Sequence, residues 1–279
     1  MKFFKYLTYS LALMLMVVSC DKHEILYDTE PAADAEFQLH YFEPIKNTSA
    51  NYIHEVYLNG KLIANATGGA TLMPYNGLPG YAKFYSTNSG NNTLQLFRDG
   101  EEIYKSDINL SKGKQNVIVH DLKSAPVIID NQYPYQHVSG AGSAATWDTD
   151  SLATVMFINM LYEDGENPYN GKLQYEWKNP RTKEWLPIGE PVGFGEATKR
   201  TQILVVKEIF NSQGACRIDY RILDEKGEVL QVGNSKGKLS DYSDYWNATI
   251  GRSYMHFFRG NRLGGSYGPT CAVSQWTSL

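Results

Sequence analysis

Histidine, cysteine, carboxylate and aromatic side chains could do chemistry here, and their spacing limits what kind. The six histidines fall at 23, 40, 54, 120, 137 and 256, and apart from His23, three residues after Cys20, none has the close His or Cys neighbour that a zinc site requires. His40, His120 and His256 lie inside strand patterns and read as outward-facing sheet residues. No G-x-S-x-G, H-E-x-x-H or cysteine–histidine nucleophile signature occurs, so a hydrolase would have to gather its nucleophile, base and orienter from distant positions. Two oxygen-rich turns, Asp148-x-Asp150-Ser151 and Glu163-Asp164-Gly165-Glu166-Asn167, lack the full spaced series of a calcium loop and read as solvated turns. The sequence therefore assigns no catalytic residue, no metal and no cofactor.

Cysteine chemistry is more informative. Lys2 and Lys5 precede an uncharged run from Tyr6 to Ser19, a length that suits a secretion signal and is too short to span a bilayer. Val17-Val18-Ser19-Cys20 resembles the bacterial lipobox, which implies cleavage before Cys20 and acylation of that cysteine. The expected address is the cell envelope, lipid-anchored at the outer membrane and either periplasmic or surface-exposed. Of the three cysteines, Cys216 and Cys271 then remain in a compartment where disulfides persist. A bridge between them would stabilise by about 4 kcal/mol on the chain-entropy model. The alternative is two separately buried thiols, since Cys216 alternates in step with Ile218, Tyr220 and Ile222.

Two aromatic clusters suggest binding. Tyr133, Tyr135 and Trp147 sit beside Pro134 and His137 in a loop-like stretch, where binding residues concentrate. Tyr254, Phe257, Phe258, Tyr267 and Trp276 accompany Arg252, Arg259 and Arg262, a mixture favoured at interfaces. Packing between domains is the simpler explanation of both clusters, more so of the second.

The elements that must position these residues are strands. Tyr alone numbers 20, a bias towards strand formers. Residues 1–19 read as the signal peptide and 20–35 as a flexible acidic tether. From Phe37 the pattern is period two, and Asn59-Gly60 and Asp99-Gly100 mark tight hairpins. These signals place a first β-sandwich domain at 36–125. Pro126 to Asp150, with its GAGSAA run, reads as a linker. Strand signals resume at TVMFINML, giving a second domain at 151–279. The expected fold class is all-β: two tandem antiparallel β-sandwich domains, immunoglobulin- or transthyretin-like, after a lipoprotein signal. Asn59-Gly60-Lys61-Leu62 recurs as Asn170-Gly171-Lys172-Leu173, and Gly113-Lys114 as Gly251-Arg252, a faint internal repeat.

The segments VYLNGKLIA, YAKFYSTNSG and TLQLFRDGEEIYKSDINLSKGKQNVIVHDL resemble a bacterial family of unknown function found in secreted proteins and Bacteroidetes lipoproteins. GRSYMHFFRG is similar to the closing part of its two-domain members. The resemblance implies β-sandwich domains and an envelope location, and its motifs carry no catalytic residue. A net charge of -4 lacks the basic footprint of a nucleic-acid binder. The functional expectation is a lipid-anchored, non-catalytic binding, adhesion or assembly module whose partners are the membrane, through its lipid, and a glycan or another envelope protein. The alternatives are a glycan-active enzyme with dispersed active-site residues and a fimbrial subunit.

Overall fold

Alternation of apolar and polar residues, punctuated by Gly and Asn turns, folds this chain into strands throughout. The computed structural model describes residues 33–80, 82–132, 150–268 and 270–278. The first half forms β1 (Ala35–Tyr41), β2 (Glu55–Leu58), β3 (Lys61–Asn65), β4 (Asn76–Leu78), β5 (Tyr85–Thr87), β6 (Gly90–Arg98), β7 (Glu101–Leu110), β8 (Gly113–Val119) and β9 (Val127–Asp130). The second forms β10 (Asp150–Tyr162), β11 (Gln174–Lys178), β12 (Trp185–Pro187), β13 (Thr201–Val206), β14 (Cys216–Leu223), β15 (Gln231–Gly233), β16 (Leu239–Asp241), β17 (Ser243–Ala248), β18 (Ser253–Asn261) and β19 (Ala272–Thr277). The expected turns form as read: Asn59 and Gly60 adopt φ of 52° and 74°, and Asp99 and Gly100 of 51° and 82°, the left-handed values that a tight hairpin between right-twisted strands demands.

Each half is a sandwich of two sheets. In the first, β4-β1-β8-β9 faces β3-β2-β6-β7; in the second, β13-β10-β18-β19 faces β12-β11-β14-β17. The all-β sandwich architecture is as expected. The pairing differs in one respect: β1 runs parallel to β8, and β10 parallel to β18. Strand polarity between distant segments is set by the path of the intervening chain, which local patterning does not reveal.

The two halves repeat one topology. Strand order and polarity match at every step of both sheets, with β5 extra in the first half and β15–β16 in the second. Gly113 and Gly251 lead into the corresponding strands β8 and β18, so that part of the sequence repeat is in register. Asn59-Gly60 turns between β2 and β3, whereas Asn170-Gly171 precedes β11, so the other match is not.

Three apolar clusters bind four sheets into layers. Phe37, Leu39, Tyr41, Leu94, Leu96, Val117 and Val119 fill the first sandwich. Val155, Phe157, Tyr175, Ile218, Tyr220, Trp246 and Phe258 fill the second. Between them lies a third core of Phe42, Ile118, Ile129, Met156, Ile158, Met160, Met255, Phe257 and Trp276. The alternating residues of β10 thus go two ways, Val155 and Phe157 into the second sandwich and Met156 and Ile158 towards the first. Burial on both faces is why β10 and β18 are apolar almost without interruption. Arg200, preceding β13, reinforces the junction: its guanidinium donates to Asn131 O (3.0 Å) and Oδ1 (2.7 Å), Ser253 Oγ (2.6 Å) and Ser278 Oγ (2.9 Å). Residues 33 to 279 cluster accordingly as one compact unit. Val127–Asp130, within the stretch read as a linker, is strand β9 paired with β8; its apolar run is too short to stand out beside the flanking Pro and the glycine-rich sequence after it.

Candidate functional site

Cys20, Tyr133, Tyr135 and Trp147 lie outside the described residues. Cys216 and Cys271 do not bridge: both are buried free thiols. Cys216 interacts with the backbone of Val206, which pairs with Asp150 at one end of β10. The Cα of Cys271 lies 3.0 Å from where a Cβ on Gly260 would stand, and Gly260 pairs with Leu161 near the other end. Those ends are separated by roughly 35 Å of extended strand, far beyond the reach of a disulfide.

The arginine-aromatic cluster near the C-terminus goes to packing. Tyr254 and Phe258 enter the second sandwich, and Phe257 and Trp276 the junction core. Arg259 stacks over Tyr75 of the first half, 4.2 Å from its ring centroid, and Arg262 pairs with Glu163. The Glu163–Asn167 turn uses its own acid, since Asp164 Oδ1 accepts from the backbone N–H of Glu166 (3.2 Å) and Asn167 (2.9 Å).

The histidines correct the outward-facing expectation. His40 and His256 are completely buried. His40 packs on Phe42, Phe257 and Trp276, with Nε2 3.3 Å from Asn116 Oδ1, and burial lowers its pKa to about 4. His256 packs on Trp246 with Nδ1 3.0 Å from the Tyr175 hydroxyl, and burial lowers it to about 3. Alternation sets His40 on the face away from Phe37 and Leu39, which the second sandwich covers; His256 is in step with Tyr254 and Phe258 and faces the interior of the second sandwich itself.

Two of the places among the described residues that combine polar groups with accessible space bear on function. The first is a cleft of about 520 Å³ at the junction, lined by Glu43, His120, Asp121, Tyr162 and Glu166 among others. Burial raises the pKa of Glu43. Burial also works to raise Asp121, but hydrogen bonds from Lys123 N (2.9 Å) and Ser124 Oγ (2.7 Å) outweigh it and hold the carboxyl low. Burial lowers the pKa of His120, whose Nδ1 lies 2.7 Å from the Tyr162 hydroxyl. A raised acid beside an ionised one is the division of labour that acid–base pairs use. Here, however, each group is already engaged: Tyr41 donates to Glu43, Tyr162 meets His120, and the turn after β8 takes up Asp121.

The second is the outer face of β12-β11-β14-β17. Alternation in QYEWK and CRIDYRIL buries Tyr175, Trp177, Ile218 and Tyr220 and leaves Glu176, Lys178, Arg217, Asp219 and Arg221 on the other side. Register sets Lys178 opposite Trp185 and Asp219 opposite Tyr245. The Arg217 guanidinium then lies 3.8 Å over the Tyr245 ring and that of Arg221 4.6 Å over Trp185. Arg221 also pairs with Glu176 at 2.7 Å. Tyr245 is 46% exposed, and the Arg217 side chain 61%. At one end the face opens into a hollow of about 370 Å³ lined by Lys178, Asn179, Pro180, Lys183, Ile209, Arg217 and Asp219. Sequence reasoning missed this face because its members come from four separate strands and the β11–β12 turn. The Arg-x-Asp-x-Arg alternation of 217–221 was the available signal.

No family model matches the chain, and no curated protein matches it. Among solved structures it is similar to a "putative cell adhesion protein" of Bacteroides fragilis, at 8% identity over 87% of this chain and 96% of that one, with a TM-score of 0.20. A likeness that low carries no argument about function.

Proposed function

We propose that this chain is a non-catalytic binding module of the bacterial cell envelope, held to the membrane by lipid on Cys20, and that it offers the outer face of β12-β11-β14-β17 to a glycan or another envelope protein. The observation that carries the reading is the pair of cation–aromatic stacks, Arg217 on Tyr245 and Arg221 on Trp185, on a face open to solvent. Guanidinium groups shelved on rings are the residues most enriched at recognition hot spots. The layered cores behind them supply rigidity, so little order has to be gained on binding. A glycan array together with a pull-down against envelope proteins tests the reading. A ligand whose capture is lost in Arg217→Ala and Tyr245→Ala supports it, and capture indifferent to both sinks it. The anchor has its own test: Cys20→Ser should move the protein from the membrane fraction to the soluble one.

A second reading, a glycan-active enzyme, draws on the opposed shifts of Glu43 and Asp121 in the junction cleft. Glycoside hydrolysis by a Glu43→Gln-sensitive activity would favour it over the binding module.

A further inference from the structure

We infer that the hollow at the Lys178 end of this outer face is a docking site for a carboxylate-bearing polysaccharide, of the uronic-acid class; the inference rests on the binding-module reading and names its ligand. Three cations, Lys178, Lys183 and Arg217, line the hollow against one carboxylate, Asp219. Asp219 offsets one of them, the Arg217 that it meets at Nε at 2.8 Å, and leaves the hollow with a net positive charge. The chain as a whole carries a net charge of -4, so a locally positive hollow is not what its composition would supply by default.

The geometry selects among anions. Among the described residues Arg217 hydrogen-bonds to other side chains through Nε alone, which leaves the edge formed by its two terminal nitrogens uncommitted. That edge matches a planar carboxylate in bidentate fashion. The stack on Tyr245 holds the guanidinium plane in place, as does its bond to Asp219. Lys183 is placed by its turn: its backbone takes φ of 65° and donates to Asn179 O at 2.9 Å, while its ammonium donates to Pro180 O at 2.5 Å. An ammonium keeps further donors after one such bond. Lys178 reaches over Trp185, 5.5 Å from the ring centroid. Beside the cations the hollow presents Pro180 and Ile209, the latter 49% exposed. Apolar area next to anion-binding groups suits a sugar ring that carries its charge on one edge, and a bare inorganic anion would leave it uncovered. The volume lies within the range of roughly 300 to 1,000 Å³ usual for ligand sites.

The test is retention of the full secreted chain on immobilised polygalacturonate, dextran sulfate and uncharged dextran, with the double variant Lys183→Glu/Arg217→Glu and, as control, Lys105→Glu on β7 of the other sandwich. Matching melting curves establish that the exposed substitutions leave the fold intact. The expected result is salt-sensitive retention on polygalacturonate, at least tenfold weaker in the double variant and unchanged in the control, with weaker retention on dextran sulfate and none on dextran. Equal retention on both charged polymers, or loss in the control as well, overturns the inference in favour of general polyanion attraction. No retention on polygalacturonate, together with a neutral glycan or an envelope protein captured through Tyr245, overturns the inference and leaves the binding module standing. Silence with all of these overturns both.

Discussion

His40 of β1 and Phe257 of β18 meet across the junction of the two sandwiches, with ring centroids 4.7 Å apart. Each belongs to a sheet whose other face is already buried, so the contact joins two cores rather than covering one. The Nδ1 of His40 has no hydrogen-bond partner among the described residues, and a proton placed there would be charge without solvent.

That arrangement predicts a pH dependence. His40 and His256 ionise at about 4 and about 3, below the ordinary 6.5, because burial disfavours the charged ring. The unfolded chain therefore takes up these protons first. Stability is full above the ordinary value and is withdrawn as pH falls through it, and the loss from His40 levels off near its folded value. For His40 the loss approaches about 3 kcal/mol. The lowered carboxyls Asp34, Asp121 and Asp164 act in the same direction but only at more acid pH, and the raised Glu43 acts in the opposite direction. Below pH 6.5 the lowered histidines, His120 among them, withdraw stability against the opposing gain from Glu43. Urea midpoints should fall from pH 6.5 to about 5 in the natural protein and fall less steeply in His40→Gln; parallel curves would show that His40 is not the titrating group.

Phe257 itself should act on both halves. Its side chain is fully buried in the junction core, and truncation of a buried Phe costs about 3 to 5 kcal/mol. Calorimetry should show one unfolding transition for the natural protein. Phe257→Ala should lower it substantially or split it in two. A variant that melts like the natural protein would mean that the third core contributes nothing.

How much of this was legible in the sequence depends on range. Asn59-Gly60 and Asp99-Gly100 declared their hairpins because positive φ is a local demand met by few residues. The alternation of β11 and β14 likewise showed which side chains share a face. The parallel pairings and the layering of sheets were not legible, because both are settled between segments far apart in the chain. β10 shows the consequence. Its run of apolar residues meant burial on two faces, and a single-faced reading left nowhere to put His40 but outside. The outer face had the same obscurity: Trp185, Arg217 and Tyr245 are neighbours only once β12, β11, β14 and β17 are paired in register.

The thiols offer a check on that register. Cys216 and Cys271 sit at opposite ends of the second sandwich, and burial raises both, Cys271 to about 12. Neither is then a thiolate at neutral pH, and neither is exposed. Iodoacetamide should label both in denaturant and neither in the native protein within the same interval. A Cys216–Cys271 linked peptide in non-reducing digests would mean that the strands carrying them are placed wrongly.

Two glycines separate the reasons a glycine can be needed. Gly60 has φ of 74° and nothing within 4 Å of a built Cβ, so Gly60→Ala meets only the left-handed backbone, at a cost of about 1 kcal/mol. At Gly233 no positive φ is involved, but a Cβ would stand 1.9 Å from Leu263 O and 3.2 Å from Gly264 N. The atoms in the way are backbone and cannot swing aside, so the strand ending at Gly233 would have to part from the chain after β18. Gly233 N also donates to Arg262 O at 2.6 Å, a bond that such a shift would break. Gly233→Ala should therefore cost about 3 kcal/mol or more, well beyond Gly60→Ala, with chemical denaturation of the two variants as the measurement. Equal losses would mean that the close approach of β15 to the segment after β18 is not present in solution.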